Sequence, residues 1–365
     1  MIINFEDYEK ENAFFKEQIE NNIKEVIQLK SEYEHEKYIE SFEKEFAGYN
    51  SSKYVIAVNS GTTALELALK ASGIKPNDEV ILPSYTYIST ALAVSNQGCI
   101  PVFIDIKEDT LTMDPDRIEE KITKKTKAII PVHIHGNPCE MDTIIKIARN
   151  NKLAIVEDCS HAHGAEYNNT KTGNFGIGCF SCHSSKILSG IGNSGLITTN
   201  DNKTYELIKN MLTVTNDPAL TLSQRTPCTM DAMQAAVLRA KLPYLDKIIK
   251  RKRTLANNYI KTIPNDIKYQ KEENKSKHAY RDFVILTENR DNLRQHLKTT
   301  GIETKVRYTT PLHLTQYYKN SPKNKKPLPI TEKTFNDLLW LPISYVMTDK
   351  KPSFICDAIR NYKSA

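Results

Sequence analysis

Short apolar runs recur along the first part of the chain, and most are rich in Val and Ile. Because each run spans only a few residues, it is too short for a buried helix and is typical of a fully buried strand. The predicted strands are Tyr54–Val58, Val80–Leu82, Pro101–Ile106, Ala128–Ile134 and Leu153–Glu157.

Helix-like segments separate these strands. Thr62–Ala71 is rich in leucine, and Gly73 follows it as a stop signal. Asp114–Ile122 opens with Asp-Pro, a favourable helix start, and Met141–Arg149 is a third helical segment. Alternating strands and helices predict crossover units, so we expect an α/β fold with a mainly parallel sheet that is covered on both faces.

The pattern changes after about Asp231. Met230–Lys250 predicts one long helix, and a smaller α+β arrangement follows it. We therefore expect a large α/β domain at residues 1–245 and a smaller C-terminal domain at residues 246–365. The elements predicted after the long helix are a strand, a helix, a strand and a loop, at Arg281–Leu286, Asp291–Thr299, Thr304–Tyr308 and Ser321–Leu328.

Composition agrees with two domains and excludes several classes of protein. The chain has 365 residues, and its net charge is only +6, from 50 basic and 44 acidic residues. This charge is too small and too evenly spread to indicate a nucleic-acid partner. No apolar run approaches the ~18 residues of a membrane-spanning helix, and Met1–Glu20 lacks the pattern of a signal peptide. The seven cysteines form no disulfide framework, so we expect a cytoplasmic protein.

Three segments that follow predicted strands carry candidate chemistry. The run Asn59–Leu65 predicts a helix start with free N–H groups, which is either an anion site or an ordinary cap. Glu157 and Asp158 end a strand, where one carboxylate should face the cleft and could pair with a protonated cofactor ring nitrogen. Lys186 lies among small residues, and burial there would lower its pKa and make it a nucleophile.

Three other patterns offer alternative readings. Gly190, Gly192 and Gly195 match a dinucleotide motif, but a strand rather than a helix follows them. Cys179 and Cys182 form a C-x-x-C pair without a second pair to complete a zinc site. A metal-dependent hydrolase is the strongest competitor, and its ligands would be His133, His135, Asp158, His161 and His163.

Taken in order, the segments resemble the fold-type I, pyridoxal-phosphate-dependent sugar aminotransferases of the DegT/DnrJ/EryC1/StrS family. The resemblance extends over most of the chain, from about Tyr38 to about Ser344, and rests on many blocks in the same order. The matching blocks are Val58–Leu65, Asp78–Tyr87, Pro101–Ile106, Pro131–His133 with Gly136, Glu157–Ala162, Phe180–Ser181 with Lys186, Gln234–Ala236 and Pro311–His313.

The resemblance implies a role for several residues. Lys186 would form the Schiff base with pyridoxal phosphate (PLP) and move the proton, and Asp158 would pair with the pyridinium nitrogen. Tyr87 would stack on the ring, and His161 would lie near the ring hydroxyl. The phosphate would be held by Gly61, Thr62, Thr63 and Ser181, and candidate substrate contacts are Tyr308 and His313.

The resemblance also implies the reaction and the partners. We expect transfer of an amino group from an amino acid, with glutamate as the expected donor, to a keto group of a nucleotide-linked sugar, in a homodimer. A non-catalytic PLP-binding relative remains an alternative. The chain departs from the family at the Asn and Arg of a cross-subunit phosphate contact, where Pro227 and Thr229 stand, with Arg225 as a possible substitute. It also departs at Asn193–Gly195 and at Cys182.

Overall fold

The computed structural model describes residues 2–212 and 228–364, so Arg225 and Pro227 lie outside the described residues. Within them the helices are α1 Tyr8–Ile27, α2 Glu32–Asn50, α3 Gly61–Ala71, α4 Ile88–Asn96, α5 Met141–Asn151, α6 Asn202–Leu212, α7 Ala232–Lys241, α8 Leu245–Thr262, α9 Arg290–Thr299, α10 Pro329–Asp337 and α11 Lys351–Ser364. The strands are β1 Tyr54–Val58, β2 Glu79–Pro83, β3 Ile100–Ile104, β4 Thr126–Ile129, β5 Ala154–Asp158, β6 Glu166–Tyr167, β7 Thr170–Lys171, β8 Ile177–Ser181, β9 Gly195–Thr199, β10 Lys268–Tyr269, β11 Ser276–Lys277, β12 Phe283–Leu286 and β13 Leu338–Leu341.

The main sheet has seven strands in the order β1-β9-β8-β5-β4-β2-β3. Strand β9 runs antiparallel to both of its neighbours, and the other adjacent pairs are parallel. The predicted α/β fold with a mainly parallel sheet is therefore confirmed. Two smaller antiparallel sheets have three strands each, in the orders β10-β12-β13 and β11-β6-β7.

Both faces of the main sheet are covered, as a parallel sheet requires. Along β2, Val80 and Leu82 pack in one apolar cluster with Leu65 of α3, whereas Ile81 packs in another with Ile144 of α5. This alternation follows from the two-residue repeat of strand side chains. The strand ends between these two helical layers are consequently the open edge where a ligand can lie.

The C-terminal part has its own apolar cluster, which includes Leu255, Phe283 and Leu341. Helix α8 contributes to two clusters, since Ile248 packs with the first part of the chain and Leu255 with the C-terminal part. Ile3 also packs in the C-terminal cluster. The division at residue 245 therefore stays a prediction, and α8 is the helix that joins the two regions.

Three predicted elements were wrong in detail. Asp114–Ile122 forms two short 3-10 turns, Pro115–Arg117 and Glu119–Lys121, and the chain is extended again at Ile122, which packs with Ile118 in the same apolar cluster. The predicted long helix over Met230–Lys250 is interrupted by a 3-10 turn at Leu242–Tyr244, where Pro243 lacks the N–H that would continue it.

The predicted strand Thr304–Tyr308 is reduced to one bridge between Lys305 and Trp340. The side chains of Lys305 and Arg307 are held instead by Glu6 near the N-terminus. The remaining strands and helices are confirmed with shifts of a few residues at their ends. In the described ranges, no helix is both long enough and apolar enough to cross a membrane.

Candidate active site

A cleft of about 490 Å³ lies at the carboxyl ends of the parallel strands. This is the position where ligands bind in open α/β sheets. The residues that line it come from both parts of the chain. From the predicted set, the cleft brings together Gly61, Thr62, Tyr87, Asp158, His161, Ser181, Lys186 and Tyr308.

The start of α3 forms one wall of the cleft. Ser60 caps the helix by accepting a hydrogen bond from the Thr63 N–H at 3.1 Å. Gly61 lies so close to Ser181 that a Cβ on it would be 2.6 Å from the Ser181 Cβ. The Thr63 hydroxyl donates to Asn59 at 2.8 Å and does not line the cleft, whereas Thr62 does. The helix N-terminus and Ser181 thus form a tight cradle suited to an anion.

Two adjacent acids at the end of β5 have opposite surroundings. Asp158 faces the cleft, where its Oδ2 accepts from the Thr90 hydroxyl at 2.8 Å. Glu157 is fully buried on the other side and accepts backbone N–H groups of Gly173, Phe175 and Gly176 at 2.8–2.9 Å. The expected alternation is confirmed, and only Asp158 is placed to meet a ligand.

Lys186 follows β8 and lines the cleft beside Asp158. Burial first, and then the nearby Arg281 guanidinium, lower the pKa of its ammonium to about 7. Arg281 also donates from Nη2 to the Ser185 carbonyl at 3.0 Å and so holds the backbone next to the lysine. A large share of Lys186 is therefore neutral at pH 7, as a nucleophilic amine requires.

His161 has a defined tautomer. Its Nδ1 accepts a hydrogen bond from the backbone N–H of His135 at 3.2 Å, so the proton of the neutral ring is on Nε2. Burial first, and then the charges of Lys186 and Arg281, hold the pKa of His161 well below its usual value. His161 can therefore donate from Nε2 to a polar group in the cleft.

His135 is the residue that fixes this arrangement. Its φ is +60°, a left-handed conformation that is uncommon outside glycine. Its Nδ1 lies 2.9 Å from the Asp282 carboxylate and its Nε2 lies 2.8 Å from the Tyr85 hydroxyl. Because a carboxylate only accepts, Nδ1 donates and Nε2 accepts from Tyr85.

The remaining predicted residues lie at the edge of the cleft or outside it. Tyr87 is at the start of α4 and is 58% exposed, while Tyr308 is in the loop before Pro311. His313 does not line the cleft. It is buried, with Nδ1 at 2.8 Å from the Ser84 hydroxyl and Nε2 at 3.2 Å from Glu332.

The predicted metal ligands do not form one group among the described residues. The two clusters with ligand atoms close together are His133 with Glu157 and Cys159, and His135 with His161 and Asp282. His133 is occupied by Glu157 on Nε2 and by the Cys139 N–H on Nδ1. His163 lies elsewhere, with Nε2 3.7 Å from the Cys182 sulfur. The metal-hydrolase alternative is therefore not favoured.

The structure explains the glycine motif and the C-x-x-C pair without a ligand. A strand, β9, follows the glycine motif, and a Cβ on Gly195 would meet the Ser60 backbone at 2.5 Å. Cys179 and Cys182 are both free and buried. The glycine thus serves close packing against the start of α3, and the cysteines serve the core.

Several cleft residues were missed in the sequence, above all Thr90, Arg281 and Arg307. Arg281 and Arg307 had a weak signal, because each is a charged residue within a segment predicted as a strand. Thr90 had none, since it lies inside α4 and its partner Asp158 is distant in sequence. Of the residues at the departure from the cross-subunit phosphate contact, Thr229 lies within the described ranges, and it forms a backbone bridge with Val58.

The sequence is similar to sugar transaminases over most of its length. It is 36% identical over 328 residues to dTDP-3-amino-3,4,6-trideoxy-alpha-D-glucose transaminase of Streptomyces venezuelae, covering 89% of this chain and 86% of the relative. It is 35% identical over 327 residues to dTDP-3-amino-3,6-dideoxy-alpha-D-galactopyranose transaminase of Aneurinibacillus thermoaerophilus, covering 89% and 90% of the two chains.

The fold is similar to solved structures of the same kind. The structure of DesV from S. venezuelae, in complex with a ketimine intermediate, superposes with a TM-score of 0.93 at 32% identity, covering 100% of this chain and 99% of the other. NtdA from Bacillus subtilis, with bound cofactor PMP, gives a TM-score of 0.85 at 27% identity and covers 96% and 82%. The sequence profile of the DegT/DnrJ/EryC1/StrS aminotransferase family matches residues 14–360, and the chain belongs to that family.

Proposed function

We propose that this protein is a PLP-dependent aminotransferase that transfers an amino group from an amino acid, with glutamate as the expected donor, to the keto group of a nucleotide-linked sugar. The family and the names of two relatives, both transaminases of dTDP-linked sugars, support this reaction class. A place in amino-sugar biosynthesis, such as that of surface polysaccharides, follows from the substrate class.

The residues of the cleft fit PLP. The N-terminus of α3 suits a phosphate and packs directly against Ser181, since a Cβ at Gly61 would meet the Ser181 Cβ at 2.6 Å. Asp158 offers a carboxylate for the ring nitrogen, and His161 offers an Nε2–H for the ring hydroxyl. When bound, PLP supplies an electron sink for the carbon that gains or loses the amino group.

Lys186 would carry both the attachment and the proton transfer. A lysine with a pKa near 7 is available as a neutral amine to bond the cofactor aldehyde. Once released from that bond, the same Nζ can accept a proton from one carbon and deliver it to another, since its pKa is close to the working pH. This lowered pKa, beside a carboxylate and an anion cradle, is the observation that carries the proposal.

Asp158 and His161 would orient the cofactor. The Thr90 hydroxyl and the Ser160 N–H both donate to Asp158, at 2.8 Å and 3.1 Å, and so fix the direction of the carboxylate. A fixed carboxylate keeps the ring nitrogen protonated, because it stabilises that positive charge. Tyr87 lines the mouth of the cleft and would cover one face of the ring.

A homodimer is part of the same proposal. Tyr87 is 58% exposed and Ile191 is 63% exposed, and both line cavities next to Lys186. The resemblance to the family implies a dimer with its sites at the interface, and a partner there would cover these two side chains. Sedimentation is expected to give a dimer, and a fully active monomer would contradict this. A cytoplasmic location is also proposed, since the seven cysteines are buried and the sequence predicts no disulfide framework for them.

A half-reaction screen tests the function directly. The pyridoxamine-phosphate form of the protein is mixed with a panel of nucleotide-linked keto-sugars, and its spectrum is followed. We expect at least one sugar to return the protein to the PLP spectrum. If the protein binds PLP but no amino acid and no keto-sugar in the panel reacts, the chain is instead a non-catalytic PLP-binding relative.

A further inference from the structure

Two arginines lie where the cleft meets a second cavity. This smaller cavity measures about 170 Å³ and is formed by the Lys186 loop, the N-terminal segment and α8. Both spaces are lined by Ser185, Lys186, Arg281 and Arg307. The described residues around the smaller cavity do not include those of the phosphate cradle. The two guanidinium groups therefore reach a space that the phosphate cradle does not line, in addition to the cleft that they share with the cradle.

Arg281 is buried, held in place and incompletely satisfied. It is 7% exposed, and its Nη1 donates to Asp282 at 2.5 Å while its Nη2 donates to the Ser185 carbonyl. Its Nε is buried and has no hydrogen-bond partner in the described part of the chain. Asp282 also pairs with His135, so its carboxylate is divided between two donors. Part of the Arg281 hydrogen-bonding capacity is thus unused beside Lys186.

Arg307 is in a similar position. Its Nη2 donates to Glu6 at 2.7 Å, and the other oxygen of Glu6 accepts from Lys305, also at 2.7 Å. One carboxylate therefore serves two cations. The Nε of Arg307 is likewise buried without a hydrogen-bond partner in residues 2–212 and 228–364. Both arginines combine an unused donor with a positive charge that is only partly balanced.

The other charged groups around the smaller cavity do not balance this positive charge. Glu11 accepts from the Ser344 hydroxyl at 2.5 Å, and Lys241 donates to the Ser189 carbonyl at 2.8 Å. Lys252 donates to the Ile343 carbonyl. Apart from Lys186, four basic residues face three acids among the described residues of this cavity, which are Lys241, Lys252, Arg281 and Arg307 against Glu6, Glu11 and Asp282.

We propose that Arg281 and Arg307 form a carboxylate site that binds the amino-acid donor beside Lys186. The inference rests on the proposed aminotransferase function. An α-amino acid carries its carboxylate on the same carbon as the amine that reacts, so a carboxylate must lie next to Lys186 whichever donor is used. The carbon of a nucleotide-linked sugar that bears the keto group carries no carboxylate, and the diphosphate of such a sugar is attached at the anomeric carbon instead. Guanidinium groups match a carboxylate in shape and bind it with charge-assisted hydrogen bonds.

The test compares glutamate with its α-amide in the donor half-reaction of the PLP-loaded protein, followed by the cofactor spectrum. Wild-type protein is expected to prefer glutamate strongly. Arg281→Gln and Arg307→Gln are each expected to weaken the apparent affinity for glutamate by about tenfold or more, with a smaller change for the amide. Lys305→Gln is the matched control, because it removes the other cation from Glu6 but does not line either cavity.

An equilibrium measurement separates binding from catalysis. Glutarate is titrated into the PLP-loaded protein by calorimetry, and both arginine variants are expected to bind it more weakly than wild type and Lys305→Gln. The Arg307 side chain is 24% exposed and that of Arg281 only 5%, so Arg307→Gln keeps the test valid if Arg281→Gln fails to fold.

The outcomes distinguish the two proposals. Arginine variants that match Lys305→Gln in glutamate and glutarate affinity would overturn the carboxylate site. A loss confined to the sugar half-reaction, and seen only with an acidic keto-sugar, would overturn its assignment to the donor. If wild-type protein binds PLP but reacts with no amino acid, the proposed function fails, and glutarate titration still decides whether the two arginines bind a carboxylate.

Discussion

The two walls of the cleft are built in different ways. The cofactor wall consists of Gly61, Asp158, Ser181 and Lys186, which lie at or just after the ends of strands in one sheet. The C-terminal wall consists of Arg281, Arg307 and Tyr308, which lie outside the regular strands and are positioned by contacts with distant segments. A parallel sheet thus collects chemistry along one edge, whereas the opposite wall depends on how the C-terminal region docks.

The strongest test of the cofactor wall is the loss of Lys186. Lys186→Ala is expected to lower the transamination rate by about a thousandfold or more, because it removes both the nucleophile and the proton carrier. Lys241→Gln is the matched control, since burial also lowers the pKa of Lys241 to about 8 and it lines the smaller cavity. Equal rates for the two variants, measured by donor half-reaction, would contradict the assignment.

Substitutions of the two adjacent acids of β5 are expected to separate an effect on the reaction rate from an effect on the free energy of unfolding. Asp158→Asn is expected to lower the rate by about a hundredfold while the free energy of unfolding changes little, because the carboxylate serves the ring nitrogen. Glu157→Gln is expected to lower the free energy of unfolding by about 1–3 kcal/mol, because it replaces one oxygen that accepts buried N–H groups.

These two variants are compared by half-reaction kinetics and by urea unfolding. A Glu157→Gln protein that is fully stable but inactive would reverse the roles given to the two carboxylates. So would an Asp158→Asn protein that unfolds readily but keeps its rate when folded.

Gly61→Ala tests the phosphate cradle. Its Cβ would be 2.6 Å from the Ser181 Cβ, so the cradle must open, and we expect PLP affinity to fall by about tenfold. Gly48→Ala is the control, because Gly48 is in α2 with no atom within 4 Å of the added Cβ. That variant is expected to keep its PLP affinity and to gain about 0.5–1 kcal/mol of stability. Unchanged PLP affinity in Gly61→Ala would place the phosphate elsewhere.

The pH dependence of PLP attachment links the two walls. Only the neutral amine reacts, so the rate of PLP capture by the apoprotein should rise with pH up to about 7 and then level off. Burial and the Arg281 charge both lower this pKa, so Arg281→Gln is expected to move the midpoint to higher pH. Rapid mixing at a series of pH values measures both midpoints, and a rate that rises steadily to pH 10 in wild type would contradict the lowered pKa.

The contrast between the walls also explains what the sequence could predict. Asp158 and Lys186 each follow a strand that an apolar run or a family block marks, so their approach to one edge follows from the parallel order. The start of α3 was predictable from Ser60 and Gly61, which have the residue types of a helix cap and a close approach. These features depend on residues close together in the sequence, so local patterns could predict them.

The rest depends on contacts between distant residues. Arg307 reaches Glu6, which is about three hundred positions away in the chain, and no spacing rule connects them. The break in the predicted long helix, by contrast, had a local signal in Pro243 that the apolar pattern outweighed. His313 has the residue type of a ligand contact but is held by Ser84 and Glu332 away from the cleft lining, a difference that only tertiary packing determines.

The most direct test of the central claim locates the cofactor bond. PLP is added to the wild-type protein, the bond is fixed by borohydride reduction, and the modified peptide is identified by mass spectrometry. We expect one pyridoxyl group on Lys186, and no modification of Lys241 or Lys252, the other buried lysines of the adjoining cavity. Modification of a different lysine, or unlabelled Lys186 in a protein that holds PLP, would contradict this expectation.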